Sequence, residues 1–328
     1  MIDDLKKKRV LVTSTSFGSS DPDLIRDLEN TVGEVVYNDY ARPLSESELI
    51  PLIGEIDGFI AGVDDIGAGV IRAGRKLKVI ARYGTGTDRV DIQAATRKGI
   101  VVTNTPGANS AAVAELTVGL MIALARNLYA VIQATRSGGW PRFTGVGFTG
   151  KTVGLVGLGF IGREVAKRLK PFGCRLLGTD PVVDPQTARS LDIELVDLFT
   201  LVSRSHFVSL HLPVTPETLG MIKRDTLGRM RQGAFLINTA RGELVDESAL
   251  KEALESGQLG GAAADVFSKE PPGKDHPLLR IPNFISTPHM ASRTDDAVNQ
   301  MGRMAMQDCL SVLEGKRPQH VVNPEVFS

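Results

Sequence analysis

Thr152-Val153-Gly154-Leu155-Val156-Gly157-Leu158-Gly159-Phe160-Ile161-Gly162 is the stretch that decides the architecture. Its first residues are apolar and β-branched, which predicts a strand over 152–155, and residues 163–170 then read as a helix. Between them the glycines fall at G-x-G-x-x-G spacing. In such a strand-turn-helix, Gly157 allows the tight turn, Gly159 lets a pyrophosphate approach the backbone, and Gly162 lets helix and strand pack closely. The free amides and positive dipole end of the helix then meet the phosphates. Six residues alone are a weak pattern, because glycines also mark ordinary turns. The next strand strengthens it, since it ends in Thr179-Asp180-Pro181, with Asp180 eighteen residues beyond Gly162. A carboxylate there accepts both ribose hydroxyls of an adenosine and repels a 2′-phosphate, and no arginine follows at 181 or 182. The pattern predicts NAD rather than NADP.

Outward from this motif the chain alternates strands and helices. Downstream, strands are predicted at 175–179, 193–196, 207–212, 234–239, 261–266 and 284–287, with a well-marked helix over 246–256 stopping at Gly257. Upstream, strands are predicted at 9–13, 34–37, 57–61, 78–81 and 100–102. There Asp21-Pro22 opens one helix, the capping-box spacing of Ser45 and Glu48 opens another, and 88–98 reads as a third. This rhythm predicts an α/β fold of two Rossmann-like domains with doubly wound parallel sheets. Residues 109–127 read as one long apolar helix that must be buried, between domains or against a second subunit. Residues 137–150, rich in glycine and containing Trp140-Pro141, read as a loop, and a helix over 295–314 precedes a proline-containing tail.

Composition narrows the function. A chain of 328 residues suggests two domains, and 42% hydrophobic with 23% charged residues is ordinary globular usage. Thirty-eight basic residues balance thirty-eight acidic ones, so no global field attracts nucleic acid or an anionic membrane. The longest strongly apolar run, 116–125, is about half of a bilayer span. The start, Met1-Ile2-Asp3-Asp4, lacks the order of a signal peptide, so a cytoplasmic protein is expected. Cys174 and Cys309 lie far apart without metal-like spacing, so neither a disulfide scaffold nor a metal site is expected.

An open parallel sheet presents its chemistry at the carboxyl ends of its strands. In the downstream series those ends carry Asn238-Thr239-Ala240-Arg241-Gly242, Asp265 and Pro288-His289. Glu270 lies in the loop after Asp265, and His211-Leu212-Pro213 closes another strand. Each has a structural alternative: a surface arginine, a solvated glutamate, a satisfied histidine, a turn-forming aspartate. Taken together they form a reactive set. Moving a hydride between a secondary alcohol and a nicotinamide needs a base for the alcohol proton, and histidine titrates near working pH. A neighbouring carboxylate favours the imidazolium, while an arginine grips a carboxylate or polarises a carbonyl. The set describes reversible oxidation of a 2-hydroxy acid to a 2-keto acid.

Several further stretches join these motifs: Arg82-Tyr83-Gly84-Thr85-Gly86-Thr87-Asp88, Ala94-Ala95-Thr96-Arg97-Lys98-Gly99-Ile100, Asn104-Thr105-Pro106-Gly107-Ala108-Asn109-Ser110 and Gly150-Lys151-Thr152-Val153-Gly154. With the glycine cradle, Asn238 to Gly242, Ala264-Asp265-Val266-Phe267 and Pro288-His289, the chain resembles the D-isomer-specific 2-hydroxyacid dehydrogenases, in the D-3-phosphoglycerate dehydrogenase-like branch. The resemblance implies an NAD-dependent enzyme with Arg241, Glu270 and His289 as catalytic arginine, acid and histidine. It implies cofactor contacts from Gly157, Gly159, Phe160, Ile161, Gly162, Asp180, His211, Pro213, Thr239, Ala240 and Asp265, with Asp265 holding the nicotinamide amide. Tyr83, Gly84, Thr85 and Gly86, with Arg241, would hold the substrate, a small anionic 2-hydroxy or 2-keto acid. The implied domains are a discontinuous substrate domain, 1–104 with 293–328, and an NAD domain, 105–292. They would enclose the active site in a cleft, and homodimers would form through the long helix.

Three positions differ from that branch. Phosphoglycerate enzymes usually carry Arg-Ser after the third strand, where this chain reads Ala61-Gly62. The histidine is followed by Met290-Ala291-Ser292-Arg293 in place of glycines, and Phe160 stands where an arginine is frequent. Tyr83, Arg142 or Arg293 are candidate replacement contacts to another anionic substrate. The chain stops near Ser328, so the regulatory domain that longer phosphoglycerate dehydrogenases append is not expected. Two alternatives stay open: an NAD-sensing corepressor-like binding protein, and a dehydrogenase of another small anion such as phosphite.

Overall fold

The β-branched run that begins at Arg9 forms the first parallel strand, β1 (Arg9–Val12), its apolar residues fully inside. It is followed by β2 (Glu34–Tyr37), β3 (Gly58–Ala61), β4 (Val79–Arg82) and β5 (Val101–Thr103), with helices between successive strands. These five form one all-parallel sheet in the order β2-β1-β3-β4-β5. The computed structural model describes residues 2–328, with side chains from Asp4 onward. It divides into two units, one running to Asn109 and resuming at Arg293, the other Ser110–Ser292.

Local chemistry explains the helix starts. Asp21 accepts from the Asp23 amide with Pro22 in the first turn, and the Ser45–Glu48 capping box is formed. The helix expected over 88–98 begins only at Ile92. Val90 is held in a parallel bridge to Ile66, so Asp91 becomes the cap, accepting from the Ala94 amide. The C-terminal helix Asp295–Leu313 belongs to this unit because β3 begins with glycine: a Cβ on Gly58 would stand 2.7 Å from Cys309 Sγ. The tail returns as well. Val322 donates to Val102, and the Asn323 amide bridges Ile100 and Val102. The unit also keeps residues 105–109, five beyond the expected boundary, because Thr105 and Asn109 hydrogen-bond to Gly84 and Thr85.

The second unit holds seven parallel strands: β6 (Thr152–Val156), β7 (Arg175–Thr179), β8 (Ile193–Leu195), β9 (Phe207–Leu210), β10 (Ala234–Asn238), β11 (Leu259–Ala264) and β12 (Phe284–Ser286). Their order is β12-β11-β10-β9-β6-β7-β8, which reverses direction between β6 and β9. β9 and β11 end two residues earlier than expected, so His211 and Asp265 are the first residues beyond their strands. The helix Ser110–Ala125 is apolar all round, and ten of its residues are buried, including Met121 at 0% exposure. Phe148, Phe207 and Phe235 stack beneath the sheet at 4.8 and 5.0 Å between ring centroids. A second helix, Leu128–Arg136, follows where none was anticipated; Asn127 adopts a left-handed conformation that turns the chain, and none of the helix's side chains is buried. Among the described residues no single helix is long and apolar enough to cross a membrane; these two pass that test only together, across a 65° bend.

Candidate active site

The glycine cradle follows β6 at the point where the second sheet reverses, the place where open α/β sheets hold ligands. Each glycine has its own reason. Gly157 has φ 98°, and a Cβ there would stand 2.5 Å from the His211 carbonyl oxygen. A Cβ on Gly162 would collide with the Gly157 carbonyl, whereas one on Gly159 meets nothing within 4 Å. The middle glycine therefore faces open space while its neighbours are closed by packing. The helix Phe160–Leu169 starts at this glycine without a side-chain cap, so its first amides remain for a ligand. Asp180 braces the cradle: its carboxylate accepts from the Leu158 amide at 2.7 Å and the Val182 amide at 2.9 Å. Phe160 is exposed, and the guanidinium of Arg163 lies 5.4 Å from its ring centroid while Nε donates to the Gly159 carbonyl at 3.1 Å. An open backbone approach, uncapped helix amides and a carboxylate beyond β7 fit NAD.

The other rim residues gather around two turns. After β10, the Asn238 side chain ties the turn by accepting from the Ala240 amide at 3.0 Å and donating to the Arg241 carbonyl at 2.8 Å. Arg241 Nη1 donates to Ala240 O at 2.7 Å. The next residue must be glycine, because a Cβ on Gly242 would overlap the backbone of Phe267 and Ser268. That contact lays the Glu270 loop directly on the arginine turn. Glu270 Oε1 accepts from the Phe267 amide at 3.1 Å, and Oε2 stands 2.7 Å from His289 Nδ1. Both side chains stay partly open, 20% and 34% exposed.

Asp265 sits beneath His289 rather than in the open, at 1% exposure. Its carboxylate accepts from Thr287 Oγ1 at 2.5 Å and from the Met290 and Ala291 amides, each at 2.9 Å. Its carbonyl accepts the His289 amide at 2.8 Å. These bonds hold His289 at φ 49°, a left-handed conformation that is costly for a residue with a side chain.

Other sequence-selected residues are placed as follows. Thr239 turns inward, its hydroxyl 2.8 Å from that of Thr117, while the Ala240 amide and carbonyl are taken by Asn238 and Arg241. Pro213 is exposed. Both ring nitrogens of His211 are sealed from solvent without a hydrogen-bond partner, and burial pushes its pKa down to about 3. In the first unit, the Gly84 amide donates to Thr105 Oγ1 at 3.0 Å, while among the described residues the Thr85 and Gly86 amides have no partner within the chain. Tyr83 is buried, its hydroxyl donating to Val298 O at 2.7 Å. Arg142 is exposed in the 137–150 loop of the second unit.

Three organising residues escaped the sequence reading. Arg82 holds the Tyr83–Gly86 turn by donating to the carbonyls of Ala61, Gly62, Tyr83 and Gly86. Glu247 anchors the Glu270 loop, accepting from the Ser268 amide at 2.8 Å and hydroxyl at 2.9 Å. His276 completes that anchor, with Nε2 3.1 Å from the Glu247 carboxylate. The only sequence signal for Glu247 was its place in the first turn of the helix Glu247–Glu255.

Comparison with known proteins gives the family. Residues 118–291 match the family model for the D-isomer specific 2-hydroxyacid dehydrogenase, NAD binding domain. A D-3-phosphoglycerate dehydrogenase of Methanocaldococcus jannaschii is 43% identical over 92% of this chain, but the match spans only 57% of that relative. The chain thus covers a little over half the length of such relatives. A glyoxylate reductase of Thermofilum pendens is 41% identical over 89% of each chain. The crystal structure of the TT0316 protein from Thermus thermophilus superposes with a TM-score of 0.86, at 39% identity over 96% of this chain and 99% of that one.

Proposed function

The chain belongs to the D-isomer-specific 2-hydroxyacid dehydrogenase family, and on that premise we propose that it interconverts a D-2-hydroxy acid and its 2-keto acid with NAD. The observation that carries this is the 2.7 Å bond between Glu270 and His289 Nδ1, on a loop laid against the Arg241 turn.

The tautomer follows from the partner. An ionised carboxylate only accepts, so Nδ1 carries the proton and Nε2 is left for the substrate. Bound NADH supplies the hydride. In keto-acid reduction His289 Nε2 gives its proton to the oxygen that becomes the hydroxyl; in oxidation it takes that proton back. Glu270 fixes the ring and balances its charge in the protonated state. Arg241 grips the substrate carboxylate and steadies charge on the carbonyl oxygen, a contribution of about 100- to 1000-fold in rate for a single such donor. Asp265 keeps the His289 turn in its left-handed form, and its Oδ2 has a lone pair left for the nicotinamide amide. Within the first unit, the Thr85 and Gly86 amides, unpartnered among the described residues, are donors suited to a carboxylate.

Gly157, Gly159, Gly162, Phe160 and Ile161 take the pyrophosphate, with Arg163 as the nearby cation, and Asp180 takes the adenosine ribose. His211 and Pro213 contribute apolar surface and backbone only. Cytoplasmic residence, beside the NADH pool, and a homodimer complete the proposal. The dimer forms through the helix Ser110–Ala125 and the segment that follows it, in which Tyr129 and Ile132 of the helix Leu128–Arg136 and Trp140 and Phe143 of the loop beyond are each exposed. The test follows NADH consumption against a panel of 2-keto acids and NAD reduction with paired D and L 2-hydroxy acids. Turnover of D acids alone is expected. No turnover on any of them, together with capture of a stable protein partner, would favour the NAD-sensing alternative.

A further inference from the structure

Beyond the switch point at β6/β9, the rim of the second sheet carries the loop 268–276, and the bond from Glu270 to His289 depends on where that loop lies. The loop has few holds of its own. Lys269, Pro271, Gly273, Lys274 and Asp275 are exposed. Among the described residues, the one backbone bond within it runs from the His276 amide to the Gly273 carbonyl at 3.2 Å.

A single carboxylate on another element pins both of its ends. Glu247 stands in the first turn of the helix Glu247–Glu255, which Asp246 caps by accepting from the Ser248 and Ala249 amides. Glu247 Oε1 accepts from the Ser268 amide at 2.8 Å. Its Oε2 accepts from the Ser268 hydroxyl at 2.9 Å and faces His276 Nε2 at 3.1 Å. One side chain thus clasps the first and last residues of the loop, with Glu270 between them. The His276 ring also packs edge-on against Phe267, at 5.2 Å between centroids and 77°, and the Phe267 amide donates to Glu270 Oε1.

The clasp has a defined proton pattern. An ionised carboxylate only accepts, so His276 Nε2 carries the ring proton. Nδ1 is buried and, among the described residues, has no hydrogen-bond partner. A proton there would be a buried donor with nothing to bind, so the ring does not exchange its tautomer readily. The Ser268 amide, the Ser268 hydroxyl and His276 Nε2 therefore all donate to Glu247. A glutamine in its place keeps the volume but sets an N–H against the His276 donor.

We propose that Glu247, acting through Ser268 and His276, is a positioning residue for the reaction: it sets the reach of Glu270 to His289 and thereby the rate of proton transfer. A misplacement of ~1 Å can cost about 100-fold in rate, and the clasp closes two residues before Glu270. The inference rests on the dehydrogenase reading above and gives a role in it to residues outside the acid–base pair. All of them lie within the second unit.

The test measures kcat, KM and NADH affinity on whichever of glyoxylate, pyruvate and 3-phosphohydroxypyruvate the wild type reduces fastest. Glu247→Gln and His276→Phe should each lower kcat about tenfold, with KM and NADH affinity kept within about twofold. His276→Gln places an amide nitrogen as many bonds from Cα as Nε2, so its kcat should stay within about threefold of wild type. In a Glu270→Gln background, Glu247→Gln should cost less than about twofold more, because the group it positions is already gone. Three results overturn the inference and leave the dehydrogenase reading standing. One is losses that multiply in that background, and another is a His276→Gln loss as deep as that of His276→Phe. The third is a wild-type kcat in both Glu247→Gln and His276→Phe, with only their thermal midpoints lowered, as a clasp serving stability alone would give. Wild-type protein that binds NADH yet reduces none of the three acids overturns both.

Discussion

The two sheets reverse direction in the same way yet build opposite surfaces at the reversal. At β6/β9 the backbone is left open: Gly159 faces empty space, and the following helix starts without a side-chain cap. At β1/β3 the backbone is closed over by Thr13, Asp64 and Arg82, and what is exposed there is side chain, Thr15 with Arg293 bonded to it. Topology chooses where a ligand sits, and the first few residues beyond the strands choose what it is. A backbone cradle suits an extended pyrophosphate; a side-chain cluster suits a small variable group.

Substituting the glycines would break the comparison most sharply. Gly162→Val puts atoms where the Gly157 carbonyl already stands, so loss of NADH binding or of soluble protein is expected, read by NADH fluorescence and expression. Gly242→Ala is nearly as severe, since its Cβ would overlap the Phe267–Ser268 backbone and displace the Glu270 loop. NADH affinity should survive there while kcat falls. Arg241→Lys should lower kcat/KM about 100- to 1000-fold, because an ammonium cannot reproduce the fork of a guanidinium.

His211 gives a pH signature confined to the second switch point. Its folded pKa lies near 3 and an unfolded histidine titrates near 6.5. As pH falls through that window the unfolded chain takes up a proton that the native one refuses. Stability is therefore flat above about pH 7 and declines below it, by at most about 1.4 kcal/mol per pH unit from this group. His211→Asn should flatten the fall of the urea midpoint between pH 6 and 4.5; an unchanged slope would remove His211 from the account. The smallest effect is at the first switch point. Gly62→Ala meets neighbours at 3.2–3.3 Å that must give slightly, so a loss of about 1 kcal/mol is expected by thermal unfolding.

Strands and cradle were legible because their signals are local: β-branched runs, glycine spacing, caps at Asp21 and Ser45. The helix Leu128–Arg136 was not, since none of its side chains is fully buried and its apolar Leu128, Tyr129 and Ile132 stay exposed. Side chains at strand ends could be picked out, but not their depth. For Asp265 the sequence left a rim carboxylate and a turn former both open; it lies at 1% exposure, holding the turn after β12. The Glu247 anchor of Ser268 crosses twenty-one residues and depends on sheet order, which no local pattern carries. Likewise, nothing local in the sequence ties Arg293 to Thr15, 278 residues away.

The most direct measurement compares His289→Gln with the wild type on whichever 2-keto acid the wild type reduces fastest, alongside NADH affinity by fluorescence. The account predicts a kcat lower by about 100- to 10,000-fold with NADH affinity unchanged within twofold, and little further loss when Glu270→Gln is added. A His289→Gln protein that keeps the wild-type kcat would contradict it.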